Sequence, residues 1–144
     1  MRHIQIGIDT RITLLATGLL FIWALLLGVW KYHGMRTSPR GQAHPYVDIA
    51  HRAALLYSFA ALLLAVFVEL SDWPTAVNLV AALAVLTFFA GAIGSYCLHG
   101  FRRDTTNQFH GDISAALRLA MCALIVCELG GFLVPFSGFI HAYL

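Results

Sequence analysis

Residues 50–98 read AHRAALLYSFAALLLAVFVELSDWPTAVNLVAALAVLTFFAGAIGSYCL. Two long apolar runs, 50–70 and 74–98, fill this stretch, and the short connection 71–75 joins them. Each run supplies about 20 residues, the length that a helix needs to cross roughly 30 Å of hydrocarbon. Because the break is so short, and because Pro74 suits a first helical turn, the sequence predicts an antiparallel hairpin of two membrane-spanning helices.

Two further apolar runs flank this hairpin, at residues 12–30 and 113–136. The whole chain is 60% hydrophobic and 11% charged, whereas a soluble domain is about half apolar and about a quarter charged. Lipid offers no hydrogen-bond partner to an open backbone, so the spans are expected to be helical. We therefore predict an all-α polytopic protein, a four-transmembrane-helix bundle in the lipid bilayer, with residues 1–144 forming a single membrane domain.

Charge indicates the orientation of the bundle. The net charge of +2 is too small to indicate a nucleic-acid partner. With four spans, the loops 31–49 and 99–112 share one side of the membrane. That side carries most of the basic residues: Lys31, Arg36, Arg40, Arg52, Arg102, Arg103 and Arg118. The other side has only Arg2 and Arg11. The positive-inside rule then places both loops in the cytoplasm and both termini outside, in a membrane that we take to be a bacterial inner membrane.

Small residues cluster in the third span, where Ala90, Gly91, Gly94 and Ser95 form two small-xxx-small pairs. Such pairs let helix backbones approach closely. Two interpretations stay open, a face of a homo-oligomer or ordinary packing within one bundle.

Histidines gather on the loop side of the predicted bundle. His51 starts the second span and His99 ends the third, and the hairpin places them at similar depth. Two imidazoles from neighbouring helices at one depth suit a haem or metal site in a bundle, with His51 as a metal ligand. The alternative is that these histidines are merely interfacial. No HExxH or CxxC spacing specifies a particular metal.

Three other polar side chains lie inside the spans. Glu128 is deep in the fourth span, where a carboxylate is costly and must be paired or protonated. We predict that Glu128 carries protons, forms a hydrogen bond with a substrate, or forms a structural hydrogen bond with a neighbouring helix. Tyr57 lies roughly 9 Å deeper than His51, and Tyr96 shares a helix face with His99. We predict that both tyrosines line a cavity with the two histidines.

Three arginines lie at the same end of the bundle, Arg52, Arg102 and Arg103. Guanidinium groups bind carboxylates in a bidentate manner, so these residues are candidates to hold the propionates of a haem. The competing explanation is the positive-inside bias itself.

The segment 50–58, AHRAALLYS, resembles the start of the second helix in small four-span membrane isomerases. These are the styrene oxide isomerases and hydroxylaminobenzene mutases, which are similar in length and carry an Ala-His pair there. The resemblance implies a homo-oligomer in which His51 ligates haem b at a subunit interface. Ferric iron would then act as a Lewis acid on an epoxide oxygen. The chain departs from the pattern six residues later, where those families place asparagine and this chain has Tyr57.

Three functions follow as hypotheses. The first is a membrane-embedded, haem-dependent isomerase acting on a small apolar substrate of the epoxide type, with Tyr57 or Tyr96 orienting the substrate. The second is a b-type cytochrome or quinone-site anchor subunit in which His51 and His99 both ligate one haem. The third is a cofactor-free transporter or assembly factor with Glu128 as its titrating group.

Overall fold

The computed structural model describes residues 6–144 and contains four α-helices. In chain order these are α1 (Ile8–Thr37), α2 (Pro45–Leu70), α3 (Thr75–Arg102) and α4 (Ala115–Tyr143). All four are long and apolar enough to cross a membrane. The predicted all-α bundle of four transmembrane helices is confirmed, and the chain is an integral membrane protein. Arg2, which counted in the charge comparison, lies outside the described residues.

Helices α1, α2 and α3 extend beyond the predicted spans at the end that carries the connections 38–44 and 103–114, here called the loop end. The predicted loop 31–49 is mostly helical, because α1 continues to Thr37 and α2 begins at Pro45. Proline suits the first turn of α2 since its missing N–H has no helical partner there. His44 precedes it, and its Nδ1 accepts a hydrogen bond from the backbone N–H of Tyr46 at 3.3 Å.

The fourth helix also extends further than predicted, at the opposite end of the bundle. This hairpin end carries the connection 71–74. The helix runs through Pro135 to Tyr143, so the residues that follow the predicted span 113–136 form its last turns. Its contacts with the hairpin explain the extension. The indole of Trp73 donates to Ser137 Oγ at 3.1 Å, and His141 stacks on the same indole with ring centroids 5.5 Å apart.

Helices α2 and α3 form the centre of the bundle. They contact each other and both flanking helices, whereas α1 and α4 do not contact one another within residues 6–144. The core between the helices is built mainly from small and branched side chains, and Ala50, Ala54 and Ala61 keep α2 close to its neighbours. Small residues at helix interfaces allow this close approach in membranes.

The fourth helix is held at the hairpin end alone. Its buried residues are Gly131, Pro135 and Gly138, and no residue between 115 and 130 is buried. A Cβ added at Gly131 would lie 2.8 Å from the carbonyl oxygen of Ala81, so α4 contacts the α3 backbone directly there. Towards the loop end α4 stands off α3, and a cleft opens between them.

The predicted small-xxx-small pairs of α3 serve two different purposes. Gly94 faces α1, where an added Cβ would lie 4.0 Å from the ring of Trp23. Gly91 has open space around its Cβ direction and lines the cleft together with Ser95. The pairs therefore do not form one continuous packing face.

Candidate functional site

A cleft of about 320 Å³ lies between α3 and the loop-end half of α4. Thr87 and Gly91 in its wall are exposed, so the cleft opens on the side of the bundle at the depth of the membrane. Its walls are mostly apolar, with a few hydroxyl and amide groups: Thr87, Phe88, Gly91, Ala92, Ser95, Tyr96, Gln108, Leu117, Ala120, Met121 and Leu124. Pockets for small ligands have this character, apolar walls with a few polar groups.

Glu128 does not line the cleft itself but lies one helix turn beyond Leu124, just past the inner end of the cleft. The cleft-lining residues of α4 recur every three or four positions up to Leu124, and Glu128 is the next residue on that face. Its Oε1 is buried and has no hydrogen-bond partner among the described residues. Tyr57 and Tyr96 both lie within Coulombic range of Glu128. The structure thus places the three catalytic candidates in one region of the bundle, and of the three only Tyr96 lines the cleft.

Both tyrosines are held by ring stacking rather than by their hydroxyls. Tyr57 stacks on Phe89 with ring centroids 4.2 Å apart and planes 11° apart. Tyr96 stacks on Tyr46 at 6.1 Å. Within residues 6–144 neither the Tyr57 nor the Tyr96 hydroxyl makes a hydrogen bond, so each is free to donate one to an oxygen of a bound molecule.

His99 forms a dyad with a carboxylate at the loop end of the site. Its Nδ1 lies 2.9 Å from Asp104 Oδ1, and its ring lies 5.0 Å from that of Tyr46. The hydrogen bond from His99 holds the pKa of the exposed Asp104 carboxyl below its ordinary value. Tyr46 links this dyad to the cleft, because its hydroxyl accepts from the backbone N–H of Gln108 at 2.7 Å.

His51 faces a different helix. Its Nδ1 lies 2.9 Å from the carbonyl oxygen of Ala24 in α1. The ring lies close against Gly28, where an added Cβ would come within 3.0 Å of His51 Cε1. His51 and Tyr46 are five residues apart on α2, which turns them about 140° away from each other. The structure therefore joins His51 to α1 and His99 to Tyr46 and Asp104, and neither histidine lines the α3–α4 cleft.

The three candidate arginines do not share one position. Arg52 donates to Asp48 at 2.9 Å, and Lys31 contacts the same carboxylate. Arg102 is exposed in the last turn of α3, and Arg103 caps that helix in the left-handed conformation, with φ 53°. In the part of the chain that the structure describes, no group of three or more His, Cys, Asp or Glu side chains is arranged to hold a metal ion.

Two residues of the site were missed by sequence reasoning, Tyr46 and Asp104. Tyr46 was assigned to a loop, although Pro45 directly before it is typical of a first helical turn. A helix starting at Pro45 points Tyr46 towards α3. Asp104 follows the left-handed residue Arg103, which turns the chain back so that the carboxylate meets His99. No pattern in the sequence marks that reversal, because left-handed arginine is uncommon.

Comparisons with known proteins add no relative: no family model, no curated protein and no solved structure matches the chain.

Proposed function

We propose that the protein is a membrane-embedded enzyme of the isomerase type that binds a small apolar epoxide in the α3–α4 cleft. One observation carries the proposal. Glu128 Oε1 is buried and has no hydrogen-bond partner in residues 6–144, and Glu128 lies one helix turn beyond the cleft wall on the same face of α4. Tyr57 and Tyr96, whose hydroxyls are free, both lie within Coulombic range of it. The resemblance of residues 50–58 to small four-span isomerases is the reason for choosing an epoxide.

The proposed chemistry needs a proton donor, hydrogen-bond donors and a dry site. Protonated Glu128 gives its proton to the epoxide oxygen and takes it back when the carbonyl forms, and Tyr57 or Tyr96 orients the substrate by donating a hydrogen bond. As the proton is given, one C–O bond breaks and its electron pair moves to that oxygen. A hydride then shifts from the carbon that still bears the oxygen to the neighbouring cationic carbon, and a C=O bond forms. Donors fixed in a low-dielectric site stabilise the charge that develops on the oxygen. The product is an isomer of the substrate, so the reaction consumes no co-reactant.

Filling the cleft tests this proposal. We expect membranes containing the protein to convert a phenyl-substituted epoxide to its carbonyl isomer, measured by gas chromatography. Gly91→Leu places a side chain in the cleft and is expected to lower turnover at least about ten-fold. Gly18→Leu is the matched control, because Gly18 is exposed on α1 and also has open space around its Cβ direction. Equal rates in the two variants would place the reaction elsewhere.

Haem on His51 is a second proposal, supported by one contact. If Nδ1–H donates to the Ala24 carbonyl, Nε2 is the nitrogen left to ligate iron. Bound there, haem would supply a Lewis-acidic ferric iron. It would lie against α1 and α2 rather than in the α3–α4 cleft, and a second copy in a homo-oligomer would be needed to cover it. Arg52, already paired with Asp48, would have to exchange partners to hold a propionate.

Absorption spectra test the haem proposal independently of turnover. The protein is expressed with haem precursor, purified in mild detergent and recorded oxidised and reduced. A stoichiometric Soret band that disappears in His51→Ala and persists in His33→Ala is the expected result, since His33 is exposed near the end of α1. A Soret band unchanged in His51→Ala, or none in the wild-type protein, would remove His51 as a haem ligand.

The orientation of the bundle is part of the proposal. The loop end carries the basic residues of α1, α2, α3 and the start of α4, while Arg11 is the one basic side chain described at the hairpin end. This asymmetry supports a cytoplasmic loop end in a bacterial inner membrane.

A further inference from the structure

A polar recess lies at the loop end, away from the α3–α4 cleft. Its outer chamber has a volume of about 470 Å³ and lies between the connection 38–44 and the end of α3. An inner chamber of about 250 Å³ shares four of the same wall residues. The shared residues are Gly34, Ala43, His44 and Arg103. The two chambers are therefore direct neighbours in one recess.

The outer chamber is basic. Arg40 and Arg103 both line it, and neither forms an ion pair with a carboxylate in residues 6–144. The nearby acids are already engaged: Asp48 binds Lys31 and Arg52, and Asp104 binds His99. Two guanidinium groups on one chamber without a carboxylate between them attract an anion, and guanidinium forks bind phosphate oxygens in a bidentate manner.

The backbone of Arg103 has an unfavourable left-handed conformation. Arg103 has φ 53° and ψ 31°, and its N–H donates to the carbonyl of His99 at 2.8 Å. A non-glycine residue in the left-handed region costs of order 1 kcal/mol or more and persists where the surroundings hold it. Asparagine or glycine would close the helix more easily. A guanidinium at this position is therefore not explained by helix termination.

His44 adds a neutral donor to the same wall. Burial, followed by the charge of Arg103, lowers the pKa of His44 below its ordinary value, so that its ring is uncharged near pH 7. Its Nδ1 accepts from the backbone of Tyr46, which leaves the proton on Nε2 as a hydrogen-bond donor. This donor is suited to an anion's oxygen.

The inner chamber adds apolar side chains to the polar groups that the two chambers share. Trp30, Val47 and Phe101 contribute to its walls. Tryptophan is typical of the interface between hydrocarbon and headgroups. A ligand that fills both chambers would have an anionic end against Arg40 and Arg103 and an apolar end against Trp30.

We propose that this recess binds a phosphate ester, with Arg40 and Arg103 holding the phosphate and His44 donating to it. The side chains of Trp30, Val47 and Phe101 in the inner chamber, and the preference of tryptophan for the membrane interface, favour an anionic phospholipid headgroup as the source. A free phosphate ester carries the same recognised group, and the experiment separates the two sources. The proposal is independent of the reaction in the α3–α4 cleft.

Ligand-induced stabilisation of the purified full chain in mild detergent tests the proposal, with phosphatidylglycerol, phosphatidylcholine and glycerol phosphate as probes. Arg103→Asn removes the charge and keeps a residue that accepts the left-handed conformation. Arg40→Gln removes the other charge in a connecting segment, so that a folding defect in one variant does not compromise the other. Arg36→Gln is the matched control, because Arg36 is a basic residue at the same end that lines neither chamber.

We expect saturable stabilisation by phosphatidylglycerol, weakened about ten-fold in apparent affinity by Arg103→Asn and by Arg40→Gln and unchanged by Arg36→Gln. Glycerol phosphate acting as strongly, with the same dependence on the two arginines, would support the site and identify a free ester as its ligand. Equal weakening by all three variants, or equal binding of phosphatidylcholine, would show general attraction to charge and overturn the proposal.

Discussion

Replacing Glu128 with glutamine is expected to lower epoxide turnover by about 100-fold or more, the usual contribution of a positioned general acid. Glutamine keeps the shape of the side chain and still fills the space just past the inner end of the cleft, but it cannot supply a carboxylic acid proton. Because the change acts on the transition state, kcat is expected to fall while KM changes little. Initial rates in proteoliposomes over a range of substrate concentrations measure both constants.

Glu69→Gln is the matched control for this variant. Glu69 is an exposed carboxylate near the hairpin end of α2, so the same chemical change there is expected to leave the rate unaltered. A Glu128→Gln protein with wild-type kcat would remove the carboxyl from the reaction. If proton uptake rather than epoxide turnover depends on Glu128, a proton-coupled transporter becomes the better account of the same buried carboxyl.

Gly131→Ala is expected to destabilise the protein by about 1–3 kcal/mol, the usual cost of overpacking a tight contact. A Cβ at this position would lie 2.5 Å from Val85 Cγ2 and 2.8 Å from the carbonyl oxygen of Ala81. The valine side chain has some freedom to move, but the carbonyl belongs to the α3 backbone and cannot shift without moving that helix. Unfolding followed by circular dichroism in mild detergent measures the loss.

The neighbouring residue Gly130 provides the matched control for this variant. Gly130 lies on the same helix turn, is exposed and has no atom within 4 Å of an added Cβ. Gly130→Ala is expected to be neutral or slightly stabilising, since alanine favours helix more than glycine does. If Gly131→Ala proved as stable as Gly130→Ala, α4 would not be held against α3 at this point, and the origin assigned to the cleft would be wrong.

The number and pairing of the helices could be predicted because the membrane imposes strong rules on length and polarity. The short connection 71–75 joins the second and third apolar runs, and this leaves no topology other than a hairpin. The helix ends were less accurate. Residues 31–37, KYHGMRT, lie outside the apolar runs and were therefore assigned to a loop. They continue α1 because helical hydrogen bonds also form outside the hydrocarbon.

The depth of the candidate site residues along the helices could be predicted from the sequence, but the neighbouring helix that each side chain faces could not. The sequence placed Tyr57, Tyr96 and Glu128 inside the spans, and the structure places them in one region of the bundle. It also placed His51 and His99 at one end, but which neighbour each ring faces depends on how α1 and α3 pack around α2. The cleft itself was not predictable from sequence, since it arises from the close contact at Gly131 and the stand-off of residues 115–130.

The most direct measurement is photoaffinity labelling in native membranes with an epoxide that carries an aryl diazirine, followed by mass spectrometry of the labelled peptides. The cleft predicts labels on Met121 and Leu124 of α4 and on Tyr96 of α3, all suppressed by excess unlabelled epoxide. Labels concentrated on α1 and α2 around His51, or spread evenly over lipid-facing residues and insensitive to competition, would contradict binding in the cleft.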